Sequence, residues 1–332
     1  MFGNQWHKKE KPLPTMIGIG GGATSLVQSG AASADPIVWG GDRGVFAGGW
    51  DDTGGDATTN VIDYINITTT GNATDFGDTY NNVIEGAAGC SNGSRGLQMG
   101  GGWQASRYDY IAYVTISTPG NAQDFGNLEG VKNDAAACSN GPRGVCAGGD
   151  DGSNLNIIEY VTIANTGNAS DFGDLTQSRE RLGGLSGNTR GLFMGGKAGG
   201  SSVNTIDYIT IANTGNATDF GDLTEDMQLS YGGSDNTRGV IGGGRDSGNS
   251  RSNIIQYVTM ATTGNATDFG DLTSVRWSVG GTSNSTRCIF AGGDAGSYIN
   301  NIEYVVTQTT GDASDFGDLT LARRSMASFS GD

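Results

Sequence analysis

The residues of this 332-residue chain best equipped for chemistry are carboxylates in a recurring pattern. The decapeptide TGNATDFGDL, at residues 214–223, carries Asp219 and Asp222, and near-copies begin at Thr70, Pro119, Thr166, Thr263 and Thr310. Paired carboxylates are the equipment of glycoside hydrolysis. A hydrolytic site needs one asymmetric pair in one cleft, whereas this pair recurs along the whole chain. We therefore expect the motif to serve architecture, and no catalytic residue is assigned. The only histidine is His7, which removes Ser-His-Asp catalysis and histidine-rich metal centres. DDTGGD at residues 51–56 and DDGSN at 150–154 offer Asp51, Asp56, Asp150 and Asp151 as oxygen ligands for Ca²⁺. Neither is a full EF-hand loop ending in Glu, and no cofactor is expected. Cys90, Cys138, Cys146 and Cys288 form no Cys-x-x-Cys. Cys90 and Cys138 hold the same place in consecutive repeats, too far apart for a bridge, so buried free thiols are expected, in keeping with assembly in a reducing cytoplasm.

The elements that must position these residues are themselves repeats. The glycines opening the six copies are Gly71, Gly120, Gly167, Gly215, Gly264 and Gly311. In step with them run Arg43, Arg95, Arg143, Arg190, Arg238 and Arg287, each starting a short apolar run that ends in a Gly pair. A third series is Tyr64, Tyr113, Tyr160, Tyr208, Tyr257 and Tyr304. Glycine supplies 59 residues, and Gly costs about 1 kcal/mol per position inside a helix. The apolar runs are short and rich in β-branched or aromatic residues, as strands are. Each unit reads as four strands, which is a propeller blade. The fold class is therefore all-β: a six-bladed β-propeller of four-stranded antiparallel blades over residues 36–332, preceded by an extended N-terminal arm at 1–35.

Small residues belong where blades converge on a central channel, and Gly89, Ala137, Gly184, Gly232 and Gly281 recur six positions before the second-strand Arg. The first blade begins directly at its second strand. Residues 321–332 align with the lead into a first strand, so the C-terminal segment is expected to supply the inner strand of blade one and close the ring. Residues 37–39 (Ile37, Val38, Trp39) are the competitor for that slot. In the decapeptide, Gly-Asn reads as a positive-φ turn, capped by the carboxylate of Asp75, Asp124, Asp171, Asp219, Asp268 or Asp315. Phe76 and its five equivalents are expected wedges under the blades. The recurring Arg is expected to pair with a recurring carboxylate, the alternative being a ring of ligand-binding cations.

Net charge is −16, but acids of the repeat, including Asp63, Glu159, Asp207 and Glu303 before the Tyr, account for much of it. The balance argues for solubility and against a nucleic-acid groove. The arm holds Trp6, Lys8, Lys9, Lys11 and the run MIGIGGGA at 16–23, with Met16, Ile17 and Ile19 as apolar anchors. It lacks an uninterrupted apolar core for a secretory signal, and the chain has no 18-residue apolar span for membrane insertion. The arm reads as a docking tail that orders on a partner. What differs between repeats is where function is sought, above all the segments after the Gly pairs, which should share one face. Trp50, Trp103, Tyr108 and Tyr298 could stack on a sugar, with Arg107, Arg245 or Arg251 fixing polar groups. Arg179, Arg181, Arg276 and Trp277, on other loops, are too scattered to name a site.

The Gly pair, the Tyr and the period resemble kelch repeats, although the Trp that kelch units carry after the Tyr is replaced here by Gly-Asn-Ala-Thr/Ser-Asp-Phe. The wording TRGVIGGG…NIIQYVTMATTGNATDFGDLT, at residues 237–273, resembles structural proteins of tailed phages of marine bacteria, including cyanobacteria. In those proteins a Gly-rich arm with a Lys-Pro-Leu stretch, here residues 11–13, precedes a propeller. The resemblance implies a non-enzymatic virion component, assembled in the host cytoplasm and present in multiple copies per particle. It would be a tail or fibre protein docked to other virion proteins through residues 1–35 and displaying its disc for attachment to host cell-surface polysaccharide. A capsid decoration protein and a glycan-degrading propeller enzyme are the alternatives.

Overall fold

A computed structural model describes residues 41–51, 57–80, 85–103 and 105–332; the arm, residues 37–39 and Asp56 lie outside the described residues. Six four-stranded antiparallel sheets follow one another as blades. In blade four the strands are Gly183–Leu185, Arg190–Met194, Thr205–Thr210 and Thr218–Asp222, from the channel outward. The inner strand of blade one is Ala327–Gly331, paired antiparallel with Arg43–Ala47 so that Phe329 lies opposite Val45. The C-terminal segment thus fills the slot for which residues 37–39 competed, and the first and last of the blade strands in chain order are joined in one sheet.

The core lies between blades. Six apolar clusters occupy the six junctions, each combining residues of two neighbouring sheets, as where Val45, Ile62 and Phe76 meet Val114 and Ile116. Second strands are buried from their second residue on, which is why their apolar runs carry no polar break. One contact per junction interlocks a large residue with a small one. The Cys138 sulfur fills the space beside Gly191, Leu185 that beside Gly239, and the Phe329 ring that beside Gly96. At the fifth junction the roles reverse: the inner strand has Gly233 and the next second strand has Cys288 where the others have Gly. All four cysteines are buried free thiols, and burial pushes the thiols of Cys146 and Cys288 up to about 12.

The repeated decapeptide is a clasp between blades at the outer rim. At the closing junction the Gly71 amide donates to the Phe316 carbonyl at 2.8 Å, and the Ala73 amide to that of Asp318 at 2.7 Å. The Asn72 side chain accepts the Asp318 amide at 3.1 Å. The same side-chain bond recurs at the other five junctions, with Asp312 replacing Asn at one of them. A Cβ on Gly317 (φ +148°) would lie 2.4 Å from the Gly71 carbonyl, so the Gly of Asp-Phe-Gly is required by close approach. This corrects the turn reading. The Asn is not at positive φ, and the first Asp of each motif is exposed and, among the described residues, accepts no backbone amide. The amide that needs a partner belongs to the next blade over, which a local reading of the decapeptide cannot see. The Phe is buried and meets its own blade's Tyr edge to face, as in Tyr64–Phe76 at 5.9 Å.

Among the described residues the recurring Arg pairs with no carboxylate. Each guanidinium lies over its own blade's Tyr ring, at 4.1 Å for Arg238 on Tyr257, and donates to a backbone carbonyl of the next blade, at 3.1 Å to Thr307. Stacking and hydrogen bonding act together because the planar guanidinium has a π-face and a donor edge. The recurring carboxylates before the Tyr are engaged elsewhere. Asp63, Glu159, Asp207 and Glu303 are buried, and they pair with Arg323, Lys132, Arg179 and Arg276 respectively. Each of those cations stands four residues before an inner strand. Blade five has Gln256 in place of the acid and Met227 in place of the cation. The fixed acids before Tyr are thus internal counter-ions and add nothing to the charge of the surface.

Candidate functional site

The channel is narrow, as its small residues require. Two spaces of about 80 and 40 Å³ remain among Gly89, Ala137, Gly184, Gly232, Gly281 and Ser328. Around it serines of the inner strands form a ring: the hydroxyls of Ser91, Ser139, Ser283 and Ser330 donate to the carbonyls of Ser330, Ser91, Ser234 and Ser283 at 2.6–2.8 Å. Ser234 donates likewise to the Ser186 carbonyl, and the Ser139 amide donates to the Ser186 hydroxyl, which completes the circle.

At one mouth a second ring is made of backbone alone. Gly86, Asp134, Arg181, Leu229, Ser278 and Ser325 stand two residues before the six inner strands, all at φ between 52° and 64°. Each amide donates to the carbonyl of the preceding member at 2.7–3.2 Å, and the Gly86 amide closes the ring on Ser325. Five non-glycine residues in the left-handed region carry strain that the hydrogen-bonded ring offsets. Outside this ring, the residue before each member exchanges two backbone bonds with the residue after a Gly pair. Those partners are Arg324 with Trp50, Glu85 with Gly102, Asn133 with Asp150, Glu180 with Lys197, Gln228 with Arg245, and Trp277 with Asp294. The segments after the Gly pairs therefore share one face with the leads into the inner strands.

The backbone here repeats six times, but the side chains do not. They enclose a funnel of about 240 Å³ lined by Glu85, Asp134, Arg181, Leu229, Arg245, Trp277, Arg324 and Ser325. Arg181 is tied to Asp134 at 3.2 Å. Arg245 and Arg324 lie over the Trp277 ring at 4.5 and 4.7 Å, and Arg324 also over Tyr298 at 5.3 Å and Trp50 at 5.6 Å. The Nε groups of Arg245 and Arg324 and the indole N–H of Trp50 are buried without a hydrogen-bond partner. Burial, then the neighbouring Arg181 and Arg324, hold the Arg245 pKa below the usual guanidinium value. Burial raises Glu85 to about 7 against the opposing pull of Arg324.

Of the candidate ligand residues, Arg245 lines this funnel, while Trp50 and Tyr298 stand behind it against Arg324. The others stay outside it. Arg107 is taken by Asp150 at 2.6 Å, Arg251 by Asp294 at 2.9 Å, Tyr108 stacks on Tyr110 at 5.2 Å, and Trp103 is exposed on its loop. Asp150 also accepts the Gly152 amide, and Arg107 with that amide holds its carboxyl below the usual range in spite of burial. Asp51 is buried in a short strand. Among the described residues no group of three or more His, Cys, Asp or Glu is placed to hold a metal ion. Glu85, Asp134, Arg181, Trp277 and Arg324 were not legible as a site. The signal that finds them is their column: the second and third positions before each inner strand vary in charge from copy to copy while their surroundings stay fixed. The sequence matches no family model, and no curated protein matches it.

Proposed function

We propose that this six-bladed propeller is a non-enzymatic recognition module of a tailed-phage virion, held to the particle by residues 1–35 and presenting the funnelled face to host cell-surface polysaccharide. One observation carries the binding part. A scaffold repeated six times departs from its symmetry at one mouth, where cations and aromatic rings converge with polar atoms unpartnered. The similarity of residues 237–273 to phage structural proteins supports the virion setting. The repeated Asp pairs recur around the rim instead of converging in one cleft, which supports a non-catalytic role. The test is co-sedimentation of the full chain with a panel of bacterial envelope polysaccharides, alongside Trp277→Ala and detection of the chain in purified particles of its phage. Retention by a polysaccharide, lost in the variant, supports the reading. Undiminished retention places the contact elsewhere, release of reducing ends makes the protein an enzyme, and absence from particles removes the virion role.

A further inference from the structure

The cations of residues 41–332 can be accounted for one by one. Eight form ion pairs: Arg107, Lys132, Arg179, Arg181, Lys197, Arg251, Arg276 and Arg323. The six recurring arginines staple blades through Tyr rings and backbone carbonyls. Among the described residues that leaves Arg245 and Arg324 without an ion pair; both line the funnel on the same indole, and Arg324 spends one terminal N–H on the Ser325 hydroxyl at 3.3 Å. A stacked guanidinium keeps its N–H edge free, and that edge matches the two oxygens of a carboxylate or sulfate. The packing holds both forks in place before any ligand arrives, so little side-chain entropy remains to be lost on binding. The funnel is smaller than the roughly 300–1,000 Å³ of drug-sized pockets, and so suits one small group at the end or side of a chain.

We propose that Arg245 and Arg324 form an oxyanion site at the channel mouth that takes the carboxylate or sulfate ester of an acidic sugar residue. This rests on the reading of the funnelled face as a glycan contact. Leu229 and the Trp277 edge supply the apolar wall that a sugar ring needs beside a charged group. The acids of the funnel do not close the site: Asp134 is held by Arg181, and Glu85 lies among Arg324, Asp134 and Arg181 without an ion pair among the described residues.

The experiment is calorimetric titration of the full chain with glucuronate, glucose 6-sulfate, glucose and inorganic sulfate. Binding of either sugar anion, at least tenfold weaker with Arg324→Met and with Arg245→Met and absent for glucose, is the expected result, and which anion binds identifies the source. Thermal melts establish that the variants fold. If either does not, Arg324→Lys, which keeps the charge and loses the stacked fork, must weaken binding by the same order. Sugar-anion binding untouched by these substitutions overturns the assignment, as does binding of inorganic sulfate alone. Retention of a neutral polysaccharide with no anion bound overturns the oxyanion site while leaving the glycan reading intact.

Discussion

The Ser330 hydroxyl donates to the Ser283 carbonyl at 2.6 Å, joining the last strand of the chain to the sixth blade around the channel. The same strand accepts from Ser91 of blade two through the Ser330 carbonyl and drives the Phe329 ring against Gly96. Residues 327–331 thus seal two junctions as well as completing a sheet. Removing residues 327–332 is expected to abolish the single cooperative melt and expose the Arg43–Ala47 edge to self-association. A synthetic peptide of the deleted segment should restore the melt. An unchanged melting temperature in the truncated protein would show that the ring does not need this strand.

The interlock of Cys138 with Gly191 predicts a paired mutational pattern. A Cβ at position 191 would lie 2.2 Å from the Cys138 sulfur, so Gly191→Ala should cost about 1–3 kcal/mol by overpacking. Adding Cys138→Gly, which copies the arrangement at Gly233 and Cys288, should recover most of that loss. Chemical denaturation of the two proteins decides it. Equal stabilities would mean that the blades relax around the extra methyl group.

Arg179 and Asp207 form a fully buried pair at 2.9 Å. Removing one partner strands the other charge, and Arg179→Met is expected to cost about 3–5 kcal/mol. The double change Arg179→Met with Asp207→Gln reproduces the Met227 and Gln256 of blade five. It should return close to wild-type stability in the same denaturation assay. A double variant no better than the single one would refute exchangeability of the two pairings.

Glu85 predicts a pH dependence. Its carboxyl is raised to about 7 by burial, with Arg324 opposing, Asp134 adding and Arg181 opposing. Between the ordinary carboxylate range and pH 7 the folded chain holds a proton that the unfolded chain releases. The contribution is therefore fully present below about pH 4.5 and is lost as pH rises to about 7. Wild type should lose on the order of 1–3 kcal/mol relative to Glu85→Gln across that window. Parallel stability curves for the two proteins from pH 4.5 to 8 would remove Glu85 from the account.

How far the sequence could be read depended on whether a residue's partner was near in the chain or across a junction. The Arg43, Tyr64 and Phe76 series gave blade number and strand order, because strands of one sheet are neighbours in sequence and each copy repeats the same alternation. The Arg partner was misread, since the Thr307 carbonyl that receives Arg238 lies on another blade and a carbonyl has no signature in the amino-acid code. Trp50 and Tyr298 were picked out for the right face but not joined, because the residue that joins them, Arg324, stands in a different lead and near the other end of the chain from Trp50.

Taken alone, the amino-acid order determined a circular array of six sheets and the burial of its cysteines, and it narrowed the closing strand to residues 321–332 or 37–39; the structure decided for Ala327–Gly331. Periodicity and small-residue columns are local properties that survive in one dimension. Only the tertiary structure decided which charges are spent and which are free. Pairing depends on distance across the mouth of the ring, where segments far apart in the chain, residues 85, 134, 181, 245, 277 and 324, become neighbours.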